Sequence, residues 1–247
     1  MYQYTQDTIL GGQITILQPT RGYRVAIDPV LLAASIPAKS GEKILDVGSG
    51  TGAASLVLAS RCKGVNVTGL ELQGSLVDLA VDSAKRNSLN DRVIFFKGDL
   101  LKLPKEFPSG CFNHVMANPP YFPGGRGNSP PNISKRISTV EGLATLIDWL
   151  NFLLFHVCNL GTITIIHRFD RSEEVIANLK TIGAGKIVIY PLWQNNLKKE
   201  AKRVIIQAQK GAAWTRRSTP GLVLHEKEGE FTASAESILR YGKALTL

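Results

Sequence analysis

The sequence predicts an α/β protein with a mostly parallel sheet and helices on both faces. Three observations carry this expectation. Short β-rich runs alternate with helical stretches between residues 43 and 209. A glycine-rich turn joins the first such run to the helix after it. The chain has 247 residues, 44% apolar and 20% charged, enough to bury one large core. That composition excludes a disordered chain, a collagen-like repeat and a coiled coil.

Strands are expected over 43–47, 66–71, 93–97 and 112–117, then over 163–167, 186–190 and 203–209. No helix signal separates the last two, which are expected to be antiparallel neighbours. Helices are expected over 53–61 and 75–87; in the second, Leu76, Leu79, Ala80, Ser83 and Ala84 share one face. A long apolar helix is expected over 141–157, and another over 173–182 with Ser172 as its N-cap and Gly183 past its end. About 40 residues precede the first of these strands. They read as a hairpin around Gly11-Gly12 and a short helix over 29–35, with Pro29 in its first turn. A strand and a helix near 234–240 complete the chain. The expected organisation is a single domain over 1–247, with an N-terminal extension (1–40), a catalytic core (41–211) and a C-terminal extension (212–247).

Cys62, Cys111 and Cys158 are odd in number and form no Cys-x-x-Cys, so neither a disulfide framework nor a zinc site is expected. The polar start of the chain carries no signal-peptide pattern. The most apolar stretch, 146–166, is broken by Asp148, Asn151, His156, Asn159 and Gly161. A cytoplasmic protein without a membrane span or a metal is the expectation. Net charge is +9, of which +1 lies in residues 1–100 and +8 in residues 101–247. A basic half of this kind points to a polyanionic partner, nucleic acid above all.

The turn Asp46-Val-Gly48-Ser49-Gly50-Thr-Gly52 lets the backbone approach a ligand closely. It lacks the lysine of a phosphate-binding loop. Asp46, one residue before the turn, repels a pyrophosphate and suits an ammonium group. Glu71 ends the next strand and can accept both hydroxyls of a ribose. Asp99 follows the third strand and can take an adenine amino group, with Leu100 against the ring and Leu72 beside Glu71. Each alone fits a solvated strand end or a tight strand–helix connection; three acids at three successive strand ends favour an adenosine site over that reading. After the fourth strand comes Asn118-Pro119-Pro120-Tyr121, then Phe122. The prolines stiffen the turn. The Asn118 side-chain oxygen and the Pro119 carbonyl can accept the N–H protons of an amide or exocyclic amine, localising its lone pair for attack. Tyr121 can stack on a base.

Asp46–Gly52, Glu71 and Asp99 resemble the class I S-adenosylmethionine-dependent methyltransferases, and residues 43–210 follow that family's element order. The resemblance implies a Rossmann-like seven-stranded sheet of order 3-2-1-4-5-7-6. It also implies S-adenosyl-L-methionine as cofactor and S-adenosyl-L-homocysteine as product, with the glycine loop on the methionine portion. Asn118–Tyr121 resembles amino-methyltransferases that act on adenine N6, on guanine N2 of ribosomal RNA, or on a protein glutamine. Glutamine enzymes of this kind carry a helical domain before the glycine loop, where this sequence reads as a hairpin. Asp28-Pro-Val-Leu-Leu-Ala, Leu10-Gly-Gly, Gln18-Pro and Gly22-Tyr-Arg24 resemble bacterial tRNA(Val) adenine-N6 methyltransferases, which makes adenine N6 in tRNA the leading substrate. A fold-retaining RNA-binding protein without activity is the contrasting reading. Lys135, Arg136, Lys198, Lys199, Lys202 and Arg203 are the expected RNA contacts. His114, His156, His167 and Trp149 are expected to be structural.

Overall fold

The computed structural model describes residues 3–22, 24–103, 107–122, 132–195, 201–227 and 229–247. The first two strands, β1 (Tyr4–Ile9) and β2 (Ile14–Pro19), form an antiparallel hairpin. Its buried strand residues, Ile14, Ile16, Leu17 and Gln18, all lie on β2. The hairpin is tied to helix α3 (Gly74–Arg86): the Leu17 amide donates to Ser83 Oγ at 2.9 Å, and the Thr15 amide to Asn87 Oδ1 at 2.9 Å. Helix α1 (Asp28–Ala34) follows, with Pro29 in its first turn.

The main sheet begins with four parallel strands whose bounds are those read from the sequence: β3 (Lys43–Val47), β4 (Asn66–Glu71), β5 (Val93–Lys97) and β6 (Phe112–Ala117). Helix α2 (Ala53–Arg61) connects β3 to β4, and α3 connects β4 to β5. Helices α4 (Ile133–Thr139) and α5 (Leu146–His156) lead to β7 (Val157–Arg168), which runs parallel to β6. A 3₁₀ turn (Phe169–Arg171) and α6 (Ser172–Thr181) lead to β8 (Ala184–Asn195) and β9 (Ala201–Lys210). As expected, these last two are antiparallel to each other, and β9 is antiparallel to β7.

From one edge the neighbours run β5-β4-β3-β6-β7-β9-β8. The sheet then continues beyond the seven expected strands. Strands β10 (Arg216–Ser218) and β11 (Leu222–Lys227) both pair with β8 in parallel, and β12 (Glu230–Phe231) pairs with β11. Helix α7 (Ala233–Leu239) closes the chain, its N-terminus capped by Thr232, whose hydroxyl accepts from the Ala235 amide at 3.1 Å.

Side-chain alternation along the strands sends residues to two separate cores. Ile44, Val67, Met116 and Ile166 pack with α1, α2, α3 and α7. Leu45, Leu70, Val115 and Ile165 pack with α5 and α6. Two elements differ from the sequence expectation. The helix expected over 141–157 begins only at Leu146, where Thr145 and Asp148 form a capping box. The helix expected to be capped by Ser172 starts at Ser172 itself, with Arg171 in the cap position and no side-chain cap. Among the described residues no helix is long and apolar enough to cross a membrane, and no group of three or more His, Cys, Asp or Glu is placed to hold a metal.

Candidate active site

The carboxyl ends of β3, β4, β5 and β6 open onto one cleft of about 570 Å³. Glycines shape its floor. Gly48, at φ +72°, turns the chain out of β3, and a Cβ there would lie 2.7 Å from Trp149 Cη2. Gly52, at φ +84°, is the residue before α2 and stands outside the cleft lining; a Cβ there would lie 2.6 Å from the Phe95 ring. The Gly48 and Ser49 amides both donate to the Leu70 carbonyl, at 2.8 and 3.1 Å, pinning the turn to β4.

The acids sit at the strand ends. Asp46 is buried and accepts from Ser55 Oγ at 2.7 Å. Burial, together with the nearby charge of Glu71, lifts its carboxyl to about 7. Glu71 accepts from the Gly50 amide at 2.9 Å and from the Gln73 amide at 2.8 Å. Its carboxyl is also raised by burial, against the pull of those amides. Asp99, less buried, accepts from the Leu101 amide at 3.0 Å. Leu72 and Leu100 line the same cleft, Leu72 as an exposed edge.

At the fourth strand end, Pro119 and Pro120 are buried and Asn118 is half-buried. The Asn118 Oδ1 atom has no hydrogen-bond partner although it is buried. Tyr121 and Phe122 are held by amide hydrogen bonds to the Thr139 carbonyl, at 3.1 and 3.0 Å. The Phe122 ring is exposed, with the Arg168 guanidinium 4.8 Å from its centroid.

The structure therefore gathers Asp46, Gly48, Ser49, Gly50, Glu71 and Asp99 with Asn118–Phe122 in one cleft. Arg203 also lines it, but as the partner of Asp28: its Nε donates to Asp28 Oδ2 at 3.1 Å. Arg136 on α4 and Lys202 on β9 are exposed and stand outside the lining. Lys198, Lys199 and the side chain of Lys135 lie outside the described residues.

Several lining residues escaped the sequence reading of the site. Trp149 was expected in the core; it does share a helical face with Leu146, Leu150 and Leu153, but at the point where that face meets the cleft. Asp28 and Gln73 carried no signal as site residues. The stretch 137–144, partly read as helix, forms a wall of the cleft. His167, next to Tyr121, is fully buried; its ring nitrogens make no full hydrogen bond, though backbone groups of Arg168 and Pro120 come near. Burial drops its pKa to about 4, so it is neutral at physiological pH. His114 and His156 are structural, bonded to Thr162 and Glu42 and to the Pro108 carbonyl.

This fold and cleft define a class I S-adenosylmethionine-dependent methyltransferase, and residues 44–123 match the methyltransferase domain family. A tRNA1(Val) (adenine(37)-N6)-methyltransferase of Bacteroides fragilis is 33% identical over 168 residues, 66% of this chain and 67% of the relative. The Vibrio campbellii protein of the same name is 26% identical over 230 residues, 92% of this chain and 89% of the relative. A predicted O-methyltransferase from Agrobacterium tumefaciens shares the fold, with a TM-score of 0.73 at 23% identity, covering 89% of this chain and 99% of that one. The chain belongs to the family of the tRNA1(Val) (adenine(37)-N6)-methyltransferases.

Proposed function

We propose that the protein methylates the exocyclic N6 of an adenine in tRNA. The observation that carries this reading is Asn118 Oδ1: a buried carboxamide oxygen without a partner, on a stiff Pro-Pro turn, in the cleft that also holds the Asp46 and Glu71 carboxylates. An acceptor left unsatisfied in this way is costly unless a ligand completes it. Ser49 Oγ is a second buried, unpartnered atom in the same cleft. Both fit S-adenosylmethionine and an amine substrate as the missing partners.

Bound S-adenosylmethionine supplies a methyl group on a positively charged sulfur. Glu71 holds the ribose hydroxyls on the lone pairs that its two backbone donors leave free. Asp99 takes the adenine amino group, with Leu100 and Leu72 against the ring. Asp46, Gly48, Ser49 and Gly50 take the methionine portion, and Gly52 sets the start of α2. For the target base, Asn118 Oδ1 and the Pro119 carbonyl accept hydrogen bonds from the two N6 hydrogens, one of which passes to solvent as a proton once the N–CH3 bond has formed and the S–CH3 bond has broken. That pulls the nitrogen lone pair out of conjugation and fixes its direction. Positioning and preorganised electrostatics are then the whole of the protein's contribution. Pro120, Tyr121 and Phe122 form the wall against which the base plane rests, and a base in a stack must be flipped out to reach it. Arg136, Lys202 and, outside the described residues, Lys135, Lys198 and Lys199 are the candidates for phosphate contacts. The whole chain, 1–247, acts as one methyltransferase domain in the cytoplasm, where its tRNA is found.

The basic excess after residue 100 and the names of the two bacterial relatives favour tRNA over a protein glutamine. The test is transfer of labelled methyl to bulk tRNA, ribosomal RNA and a release-factor protein in parallel, all from cells lacking these modifications. Label recovered as N6-methyladenosine in tRNA supports the reading. Label in ribosomal guanosine or in protein glutamine overturns it.

A further inference from the structure

Tyr121 follows the Asn-Pro-Pro turn, and its side chain is held from three sides. Its hydroxyl donates to Asp28 Oδ2 at 2.7 Å. The Arg203 guanidinium stands over one face of its ring, 4.3 Å from the centroid. His167 meets the ring nearly at right angles, at 5.5 Å between centroids. The same Asp28 oxygen accepts from Arg203 Nε at 3.1 Å. One carboxylate oxygen therefore locks two groups on which the site depends. They come from distant parts of the chain: Asp28 is 93 residues from Tyr121 and 175 from Arg203. Asp28 itself is anchored at the start of α1, a helix whose other six residues are all buried. The arrangement is well insulated: burial and the Asp28 charge push the Tyr121 hydroxyl well above its ordinary value, so it stays a donor.

We propose that Asp28 is a positioning residue for methyl transfer: it clamps the Tyr121 ring and the Arg203 guanidinium together, and so fixes the turn that carries Asn118. The proposal rests on the reading of Asn118–Tyr121 as the amine-binding turn. Two consequences follow. Arg203 is committed to Asp28 and to the Tyr121 ring, and is not a phosphate ligand. One face of Tyr121 is already occupied, so the base meets a ring whose tilt is set before it arrives. Fixing the tilt in advance lowers the entropy that the reaction must otherwise supply.

The test combines kinetics with a probe that needs no substrate. Asp28→Ala is expected to lower kcat on tRNA about 10- to 100-fold, the range for losing a hydrogen bond to a charged acceptor. KM for tRNA and the affinity for S-adenosylhomocysteine are expected to stay unchanged. Tyr121→Phe is expected to lose no more than Asp28→Ala, and the double variant no more than Asp28→Ala alone, because Asp28→Ala already removes the bond that Tyr121→Phe removes. Asp28→Asn, which keeps a neutral acceptor of the same shape, is expected to recover part of the rate; it also serves if Asp28→Ala does not fold. In protein labelled with 3-fluorotyrosine, the fluorine resonance that disappears in Tyr121→Phe is expected to move in the Asp28 variants. Arg203→Ala is expected to leave the salt dependence of tRNA binding unchanged. An unmoved resonance, multiplicative losses in the double variant, or a wild-type kcat in Asp28→Ala would overturn the clamp. If the wild-type protein transfers no methyl to tRNA while the resonance still moves, the clamp stands and the substrate reading fails.

Discussion

Replacing Glu71 with alanine separates ligand binding from the support of the glycine turn. The carboxylate is 7% exposed and accepts from the Gly50 amide at 2.9 Å and the Gln73 amide at 2.8 Å. Its proposed ribose contacts use the remaining lone pairs. Losing hydrogen bonds to a charged acceptor should weaken S-adenosylhomocysteine binding by about 1.5–3 kcal/mol, or roughly 10- to 150-fold. The same substitution strands two backbone N–H groups. Each costs about 1–3 kcal/mol when left unpaired, partly offset because a desolvated carboxylate is removed with them. A net stability loss of about 1–3 kcal/mol is the expected outcome. Titration calorimetry with S-adenosylhomocysteine, at a temperature where the variant is folded, reads the first effect. Urea unfolding reads the second, and tRNA affinity should not change. A variant that melts earlier yet binds S-adenosylhomocysteine like the wild type would refute the assignment: Glu71 would then only tie the turn to β4.

Gly48→Ala forces a Cβ to within 2.7 Å of Trp149 at a positive φ, and left-handed strain alone costs about 1–2 kcal/mol. Lower stability in urea and a displaced tryptophan fluorescence spectrum are expected together. The Asp46 carboxyl, raised by burial to about 7 from an ordinary 3.8, binds its proton more tightly in the folded chain than in the unfolded one. Its contribution to stability is therefore full below the ordinary value and is lost as pH rises towards 7. An ammonium group beside it favours the ionised form, so S-adenosylhomocysteine should bind more tightly at about pH 8 than at about pH 6. Binding at the lower pH should release a proton, detected by calorimetry in buffers of different ionisation heat, and Asp46→Asn should abolish that release. Asn118→Ala should lower kcat by about 10²- to 10³-fold, the scale for removing one preorganised transition-state contact, with both binding constants held. A wild-type maximal rate in Asn118→Ala would make Asn118 a plain turn residue.

The first four sheet strands were legible to the residue because each is a short apolar run bounded by turn signals, as in Asn66–Glu71 and Phe112–Ala117. Strands β7 and β8, by contrast, are each 12 residues long and extend well past the apolar stretches that marked them. The start of β7 pairs with β6 and its end with β9, while the ends of β8 pair with β9 and the added strand β11, and local pattern reveals none of this. The start of α5 was missed because apolarity was weighed over the Thr145–Asp148 capping box. The four strand-end motifs were legible as a site because a parallel sheet brings successive strand ends together without further information. The Asp28–Tyr121–Arg203 contacts were not, since they depend on how the chain before β3 packs against β9. Trp149 packs against the core as expected and also lines the cleft, which periodicity does not show: it assigns a face to a helix, and only the tertiary arrangement says where along that face the core gives way to a cleft.

Methylation of one adenine amine in tRNA can be tested directly. Its most direct measurement is transfer of labelled methyl to an unmodified transcript of the tRNA named by the relatives, tRNA1(Val), followed by nucleoside analysis. The expected product is N6-methyladenosine, with no other methylated nucleoside. Label in another nucleoside, or no label, would contradict this reading.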